Sequence, residues 1–230
     1  MQQTSNANYL TKNDYFPYKC KNCGDCCRFY ANIRLTPLDI YKMARYLSMD
    51  IKDFISDYCK VNDEKEILPV VEFINTGDNN FCPLFKDNKC SVHAAKPATC
   101  ALYPLARLTN ISTGEPIYFS QPHDKSEDTE NHSVQDWLEQ YNLLGDEEFA
   151  GEWYDFLTKT MTTITEMGAF AAIQIGTNTM YLHALILTSM YYQYDNDEDF
   201  LTQFRNNRET LNEMFIIFSE FNGIKPTESN

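Results

Sequence analysis

Four of the eight cysteines in this 230-residue chain fall within eight positions, in the run Cys20-Lys-Asn-Cys23-Gly-Asp-Cys26-Cys27. Cys82, Cys90 and Cys100 form a second group far along the sequence, and Cys59 stands alone between the two. Thiolates are soft ligands for iron and zinc, and a site split between a tight run and distant cysteines is a usual way of encoding a metal centre. Disulfides suit the chain less well. With 43% hydrophobic and 14% aromatic residues it has ample material for a core and needs no covalent staples. Its first residues, Met-Gln-Gln-Thr-Ser-Asn-Ala-Asn, lack the basic region and apolar run of a secretory signal. The expected compartment is therefore cytoplasmic, where thiols stay reduced and eight cysteines are better used for metal ligation or redox chemistry.

Cys20, Cys23 and Cys26 have the Cys-x2-Cys-x2-Cys spacing by which bacterial ferredoxins hold three corners of a [4Fe–4S] cluster, the fourth corner coming from elsewhere. Cys82-Pro83 is the only cysteine–proline pair that could echo the rest of that pattern. Gly24 lets the backbone turn closely around a metal. Zinc needs only four ligands, and Cys20 with Cys23 could equally pair with Cys82 and Cys90 or with Cys100. Neighbouring side chains in extended backbone point apart, so adjacent Cys26 and Cys27 would reach two sites. Seven or eight thiols imply either two metal sites or one cluster with spare redox thiols.

Other candidates have two readings each. His93 lies three residues after Cys90 and is a further possible ligand or a structural hydrogen-bonding group. Cys59 is a ligand or a small buried hydrophobe. His183 sits on an apolar stripe as a core histidine, while His123 and His132 fall in a polar, solvated stretch. No Gly-rich phosphate loop, Gly-x-Ser-x-Gly elbow or His-Glu-x-x-His helix is present, and nothing identifies a general base.

The charge balance narrows the partners. Thirty-three acidic against 19 basic residues give a formal net charge of −14, which repels phosphate backbones and anionic lipid, so neither nucleic acid nor a membrane is expected. Between Glu166 and Asp195 there is no charged residue, yet Gln174, Gly176, Asn178 and His183 interrupt the run. A buried central helix is expected there rather than a membrane span.

The elements that must position the thiols follow from local patterns. Residues 1–14 read as a flexible lead-in and Arg28 to Arg34 as a short strand anchoring the cysteine run. Thr36-Pro37 predicts a helix over Pro37–Leu47, and Asp50 caps a second running up to Cys59. Leu68 to Ile74 reads as a strand, and the Asp87-Asn88 turn places Cys82 and Cys90 at the two ends of a tight loop. Pro97 and Pro104 break residues 91–108 into short turns. Ile117 to Phe119 is a further strand and residues 121–133 a surface loop. Helices are expected over Val134–Leu144, Glu147–Met161 and Asp197–Phe221. The fold class is α+β, mainly α. A loop-rich cysteine lobe over residues 15–110 packs on a helical region over 111–225 as one compact unit.

Taken together, Cys-x2-Cys-x2-Cys-Cys, Cys82-Pro83-Leu84-Phe85, Cys90-Ser-Val-His93, Lys96-Pro97, Cys100 and Tyr103-Pro104-Leu105 resemble the CxxCxxCC family, the zinc- or iron-chelating domain of YkgJ-type cysteine-cluster proteins. Leu35 to Ile40, the Asp53-Phe54-Ile55 helix, and Tyr194 to Phe204 with Arg208 are similar to further segments of that family. The resemblance implies a metal-chelating cluster on Cys20, Cys23, Cys26, Cys27, Cys82, Cys90 and Cys100. An iron–sulfur cluster or zinc would then serve electron transfer, metal handling or structure. The chain departs from the pattern in having Lys96-Pro97 and Cys100-Ala101 where the family usually has Arg-Pro and Cys-Arg. A flagellin lysine methylase shares the cysteine domain, which implies S-adenosylmethionine-dependent methyl transfer as an alternative, although no recognisable loop for that cofactor is present.

Overall fold

A computed structural model gives the fold over residues 9–21, 24, 26, 33–62, 67–77, 81–110, 113, 115–123, 129–170 and 175–221, the residues it describes. In chain order these form β1 (Tyr9–Leu10), β2 (Tyr15–Pro17), α1 (Pro37–Leu47), α2 (Ile51–Tyr58), β3 (Cys59–Asn62), β4 (Val70–Phe73), β5 (Phe85–Lys86) and β6 (Lys89–Cys90). One turn of 3-10 helix, His93–Ala95, comes next among the described residues. Then come α3 (Ala98–Leu102), β7 (Leu105–Thr109), β8 (Pro116–Ser120), β9 (Asn131–Ser133), α4 (Val134–Gln140), α5 (Glu147–Phe170) and α6 (Ile175–Leu187). A π-helical turn, Thr188–Tyr192, leads toward α7 (Phe200–Phe221). The class is α+β and mainly α, with 51% helix and 18% strand in small sheets.

The first helices are fixed by their own sequence. Thr36 accepts from the Asp39 N–H, and the Asp39 carboxylate takes the Thr36 N–H at 2.9 Å and its hydroxyl at 2.7 Å, a reciprocal capping box with Pro37 where its missing donor costs nothing. Asp50 caps α2 by accepting from the Lys52 N–H at 2.7 Å. The second helix stops one residue short of the expected end. Cys59 is extended and opens β3, an unexpected strand that pairs antiparallel with β4 in the register Cys59↔Phe73. Arg34 bridges Glu72 at the far edge of β4; the rest of the strand expected over Arg28 to Arg34 lies, apart from Ile33 and Arg34, outside the described residues.

Long-range pairing corrects the sequence reading elsewhere. The lead-in expected through residue 14 instead supplies β1, which joins β8 and β7 in a three-stranded antiparallel sheet of order β1-β8-β7. The surface loop expected over 121–133 ends in β9, which pairs with β2 through Phe16↔His132. α5 continues past the expected end at Met161 to Phe170. Within the uncharged run the described residues are helical in the end of α5, in α6 and in the π turn, with residues 171–174 outside the described ones; Leu182, His183, Ile186, Met190 and Tyr191 are buried and Met180 and Tyr181 exposed. No helix among the described residues is long and apolar enough to cross a membrane.

Two hydrophobic clusters result. The larger joins α1, α2, β3 and β4 to α5, α6 and α7 through Met43, Phe54, Val71, Phe156, Phe204 and Leu211. The smaller gathers Phe16, Tyr18, Leu102, Leu105, Tyr118, Trp137 and Leu138. Each draws residues from both sides of position 110.

Candidate metal centre

Cys82 and Cys90 are brought together by a short hairpin. β5 and β6 pair as Phe85↔Cys90, and the two turn residues between them, Asp87 and Asn88, have φ of 50° and 59°. Asp and Asn tolerate that left-handed backbone, and such a turn matches the twist of paired strands. The Phe85 N–H donates to the Cys82 carbonyl at 3.0 Å, and the Ser91 N–H and hydroxyl both donate to the Leu84 carbonyl at 2.9 Å. The segment from Cys82 to Ser91 is thus closed on itself.

The distant cysteine run meets this hairpin at Gly24. Gly24 has φ +76° and is buried, and a Cβ placed on it would lie 2.3 Å from Phe85 Cε2. The loop carrying Cys20 and Cys26 therefore seats its glycine on the Phe85 ring, one strand away from Cys90. Both the handedness of the backbone and the close approach require glycine.

Cys100 is placed by α3, a helix too short to hold itself. Its first N–H, from Ala98, donates to Asp39 Oδ1 at 2.8 Å, while Trp137 Nε1 donates to the carbonyls of Ala101 and Leu102, both at 3.2 Å. Asp39 thus caps α1 with one oxygen and α3 with the other. Burial pushes its carboxyl up, and the hydrogen bonds from Ala98 and Thr36 and the charge of Lys42 oppose that shift. Neither Asp39 nor Trp137 was marked as part of the site by the sequence; the capping box was visible, but its second use was not.

The thiols share one electrostatic neighbourhood. Burial pushes the Cys100 thiol well above the usual thiol range, and Cys82, Cys26 and Cys90 push it the same way, with Lys96 as the opposing charge. Mutual opposition to ionisation is what a bound cation offsets, because a metal must be met by thiolates. In kind, this donor set fits a thiophilic metal. Among the described residues no three Cys, His, Asp or Glu side chains converge on one metal position. Cys23 and Cys27, in the same run, lie outside the described residues.

Cys20 faces a second group. Tyr141 is pushed up to about 12 by burial and by the charge of Cys20. Lys96 Nζ stands 4.0 Å over the Tyr141 ring, which is steeply inclined to the His93 ring at a ring separation of 6.4 Å. His93 Nε2 is buried without a hydrogen-bond partner, and burial together with Lys96 lowers its pKa. Cys59 is placed in the larger core opposite Phe73; burial alone pushes it up to about 12, and the groups that feel it are Tyr191 and Tyr192. His183 is a core residue as expected, bonded to the Ile67 carbonyl at 3.0 Å. His132 is not solvated as expected but packs on Phe16 and Trp137 and meets the Tyr18 carbonyl at 2.9 Å. His123 bonds the Gln121 carbonyl and stands edge-on to Tyr18.

Thiols from a turned loop, a hairpin and a pinned short helix make this a cysteine-cluster type of domain. The CxxCxxCC family model, described as “Putative zinc- or iron-chelating domain”, matches residues 19–135, just over half of the chain, and the chain belongs to that family. The matched span contains all the cysteines from Cys20 to Cys100, and its description gives the domain a zinc- or iron-chelating role. Neither the curated proteins nor the solved structures give a match. The methyl-transfer alternative finds no support in these comparisons.

Proposed function

We propose that the chain is a metal-binding protein whose thiolate centre is shared by the loop cysteines Cys20, Cys23, Cys26 and Cys27 with Cys82, Cys90 and Cys100. The observation that carries the reading is the common field of Cys26, Cys82, Cys90 and Cys100, which draws on three separated stretches of chain. Four thiols are the ligand number of an all-thiolate zinc site and of a [4Fe–4S] cluster alike. The seating of Gly24 on Phe85 supports the same joining of loop and hairpin. With iron–sulfur the centre serves electron transfer; with zinc it serves structure or metal handling.

Anaerobic purification with metal analysis, visible absorption and acid-labile sulfide tests the reading. Broad visible absorption with sulfide reports the cluster, and colourless protein with stoichiometric zinc reports the zinc site. Protein that takes up neither iron nor zinc at stoichiometric level overturns it.

A further inference from the structure

Between the corner where α1 gives way to α2 and the stretch that runs from the π-helical turn toward α7 lies a cleft of about 870 Å³, within the size range of small-molecule sites. No cysteine lines it. Thr188 and Tyr192, the two ends of the π-helical turn, both do, and such turns occur frequently at functional sites.

The two walls carry opposite charge. Arg45 in the last turn of α1 and Lys52 in the first turn of α2 belong to one wall, where Asp50 spends a carboxylate oxygen on the Lys52 N–H as the cap of α2. Asp195 and Asp197 belong to the other. Each wall is held. Arg45 Nη1 donates to Tyr41 Oη at 3.3 Å, while Gln203 of α7 accepts from the Asp195 N–H at 2.6 Å and donates to its carbonyl at 2.9 Å. Asn196 Nδ2 ties the walls together by donating to the Met49 carbonyl at 2.7 Å, as does Tyr41 Oη by donating to the Glu198 carbonyl at 2.7 Å. Yet the opposite charges do not meet. Among the described residues neither Arg45 nor Lys52 forms an ion pair with a carboxylate.

Unspent polar atoms gather at the same place. Of the three buried side-chain atoms without a hydrogen-bond partner among the described residues, Tyr194 Oη and Asn196 Oδ1 belong to residues of this cleft. The Asn207 amide beside the Tyr194 phenol spends its Nδ2 on the Gln193 carbonyl at 2.7 Å. Asn196 is fixed by its bond to Met49, which leaves Oδ1 as an oriented acceptor between the two aspartates in sequence. Buried polar atoms left without partners call for an explanation, and a bound ligand supplies one.

We propose that this cleft binds a small zwitterion, an organic molecule carrying an ammonium and a carboxylate, with the carboxylate on Arg45 and Lys52 and the ammonium on Asp195, Asp197 and Asn196 Oδ1. The orientation follows from the donors: an ammonium has only hydrogens to give and suits a lone acceptor, whereas a carboxylate does not. A simple anion would face the two aspartates, and a simple cation Arg45 and Lys52, so one charge alone meets a repulsion that the zwitterion avoids. The site is independent of the thiolate centre.

The test is amide NMR of the full chain titrated with three zwitterions of increasing charge separation, glycine, 4-aminobutyrate and 6-aminohexanoate, with hexanoate and hexylamine as single-charge controls. At least one zwitterion is expected to shift the amides of residues 45–52 and 188–197 with a Kd of about 1 mM or tighter. The controls are expected to bind about tenfold more weakly, having lost one charge-assisted set of hydrogen bonds. Lys52 and Asp197 are exposed, so Lys52→Gln and Asp197→Asn should leave the melting temperature unchanged. Each is expected to weaken binding by about threefold or more. Absence of these shifts with all three zwitterions overturns the proposal. So does a control that binds as tightly as the zwitterion, or an affinity that neither substitution changes.

Discussion

Cys59 and Cys100 stand in two packed regions, and burial is the first cause of a raised thiol pKa in both, but the causes divide there. Cys59, in the larger core, is pushed up to about 12 by burial alone. Cys100 is pushed higher by burial and by three further thiols, Cys82, Cys26 and Cys90. A buried thiol is an ordinary core component, so burial does not distinguish a ligand. In the proposed reading the company of other thiols marks it, together with the means of holding it. Cys59 opens a strand whose partner is in the same small sheet, whereas Cys100 rides on a five-residue helix held at one end by Asp39 and at the other by Trp137.

Breaking that contrast by mutation gives the largest effect. Cys100→Ser is expected to lower metal per chain by about tenfold or more in elemental analysis, because one thiolate of the common set is lost. Cys59→Ala is expected to leave metal content at the wild-type level and to cost about 1 kcal/mol of stability from lost packing. Loss of metal in Cys59→Ala would erase the distinction between the two regions.

Asp39 sharpens the same contrast, since it belongs to both regions at once. Asp39→Ala removes the acceptor for Ala98 N–H and for the N–H and hydroxyl of Thr36, and is expected to cost about 3 kcal/mol in urea unfolding. Thr36→Ala removes only the cap of α1 and should cost about 1 kcal/mol. Metal affinity is expected to fall in Asp39→Ala and to hold in Thr36→Ala, because only the former frees the start of α3. Equal metal affinity in the two variants would show that α3 needs no such anchor.

These residues also mark how far the sequence could be read. α1 and α2 were legible because their caps are local, Thr36 with Asp39 and Asp50 with Lys52. The hairpin was legible because Asp87 and Asn88 are adjacent turn formers. β1, β3, β7 and β9 were not, because short strands with mixed residues declare themselves only through a partner, and Tyr9 finds Phe119 more than a hundred residues on. At the site, the cysteines were visible as residue types at a spacing. Their positioning was not, since Asp39 reaches Ala98 across 59 positions and Trp137 reaches Ala101 across 36. Local pattern carries no record of such contacts.

A third and smaller effect is expected at the junction of loop and hairpin. Gly24→Ala places a methyl 2.3 Å from Phe85 Cε2 on a backbone with φ +76°, and should cost about 1–2 kcal/mol and weaken metal binding. Phe85→Leu combined with Gly24→Ala relieves the collision but not the strained φ, so the double variant should recover metal affinity only in part. Full recovery would mean that crowding alone demands glycine, and no recovery would assign the demand to the backbone.

The smallest effect lies in the thiol-free part of the larger core, and it carries a pH signature. Glu152 of α5 accepts from Arg205 Nε at 3.0 Å and from Arg208 at 3.2 Å, tying α5 to α7. The hydrogen bond from Arg205 is the largest cause that holds its carboxyl below the usual value of 4.5. A depressed native pKa means that the folded chain binds this proton less readily than the unfolded one, so the contribution is present above the usual carboxylate value and lost as pH falls through the native value. Glu152→Gln is therefore expected to cost about 1 kcal/mol at neutral pH, in keeping with a part-exposed ion pair. The gap between variant and wild type should narrow once pH drops below about 4.5 and close below the native pKa, and added salt should narrow it at neutral pH. Chemical unfolding at a series of pH values measures the gap, and metal analysis of the same variant should read as wild type. A gap that persisted at low pH would point to lost packing of the α5–α7 contact instead of lost charge, and a fall in metal content would show that this pair and the thiol centre are coupled.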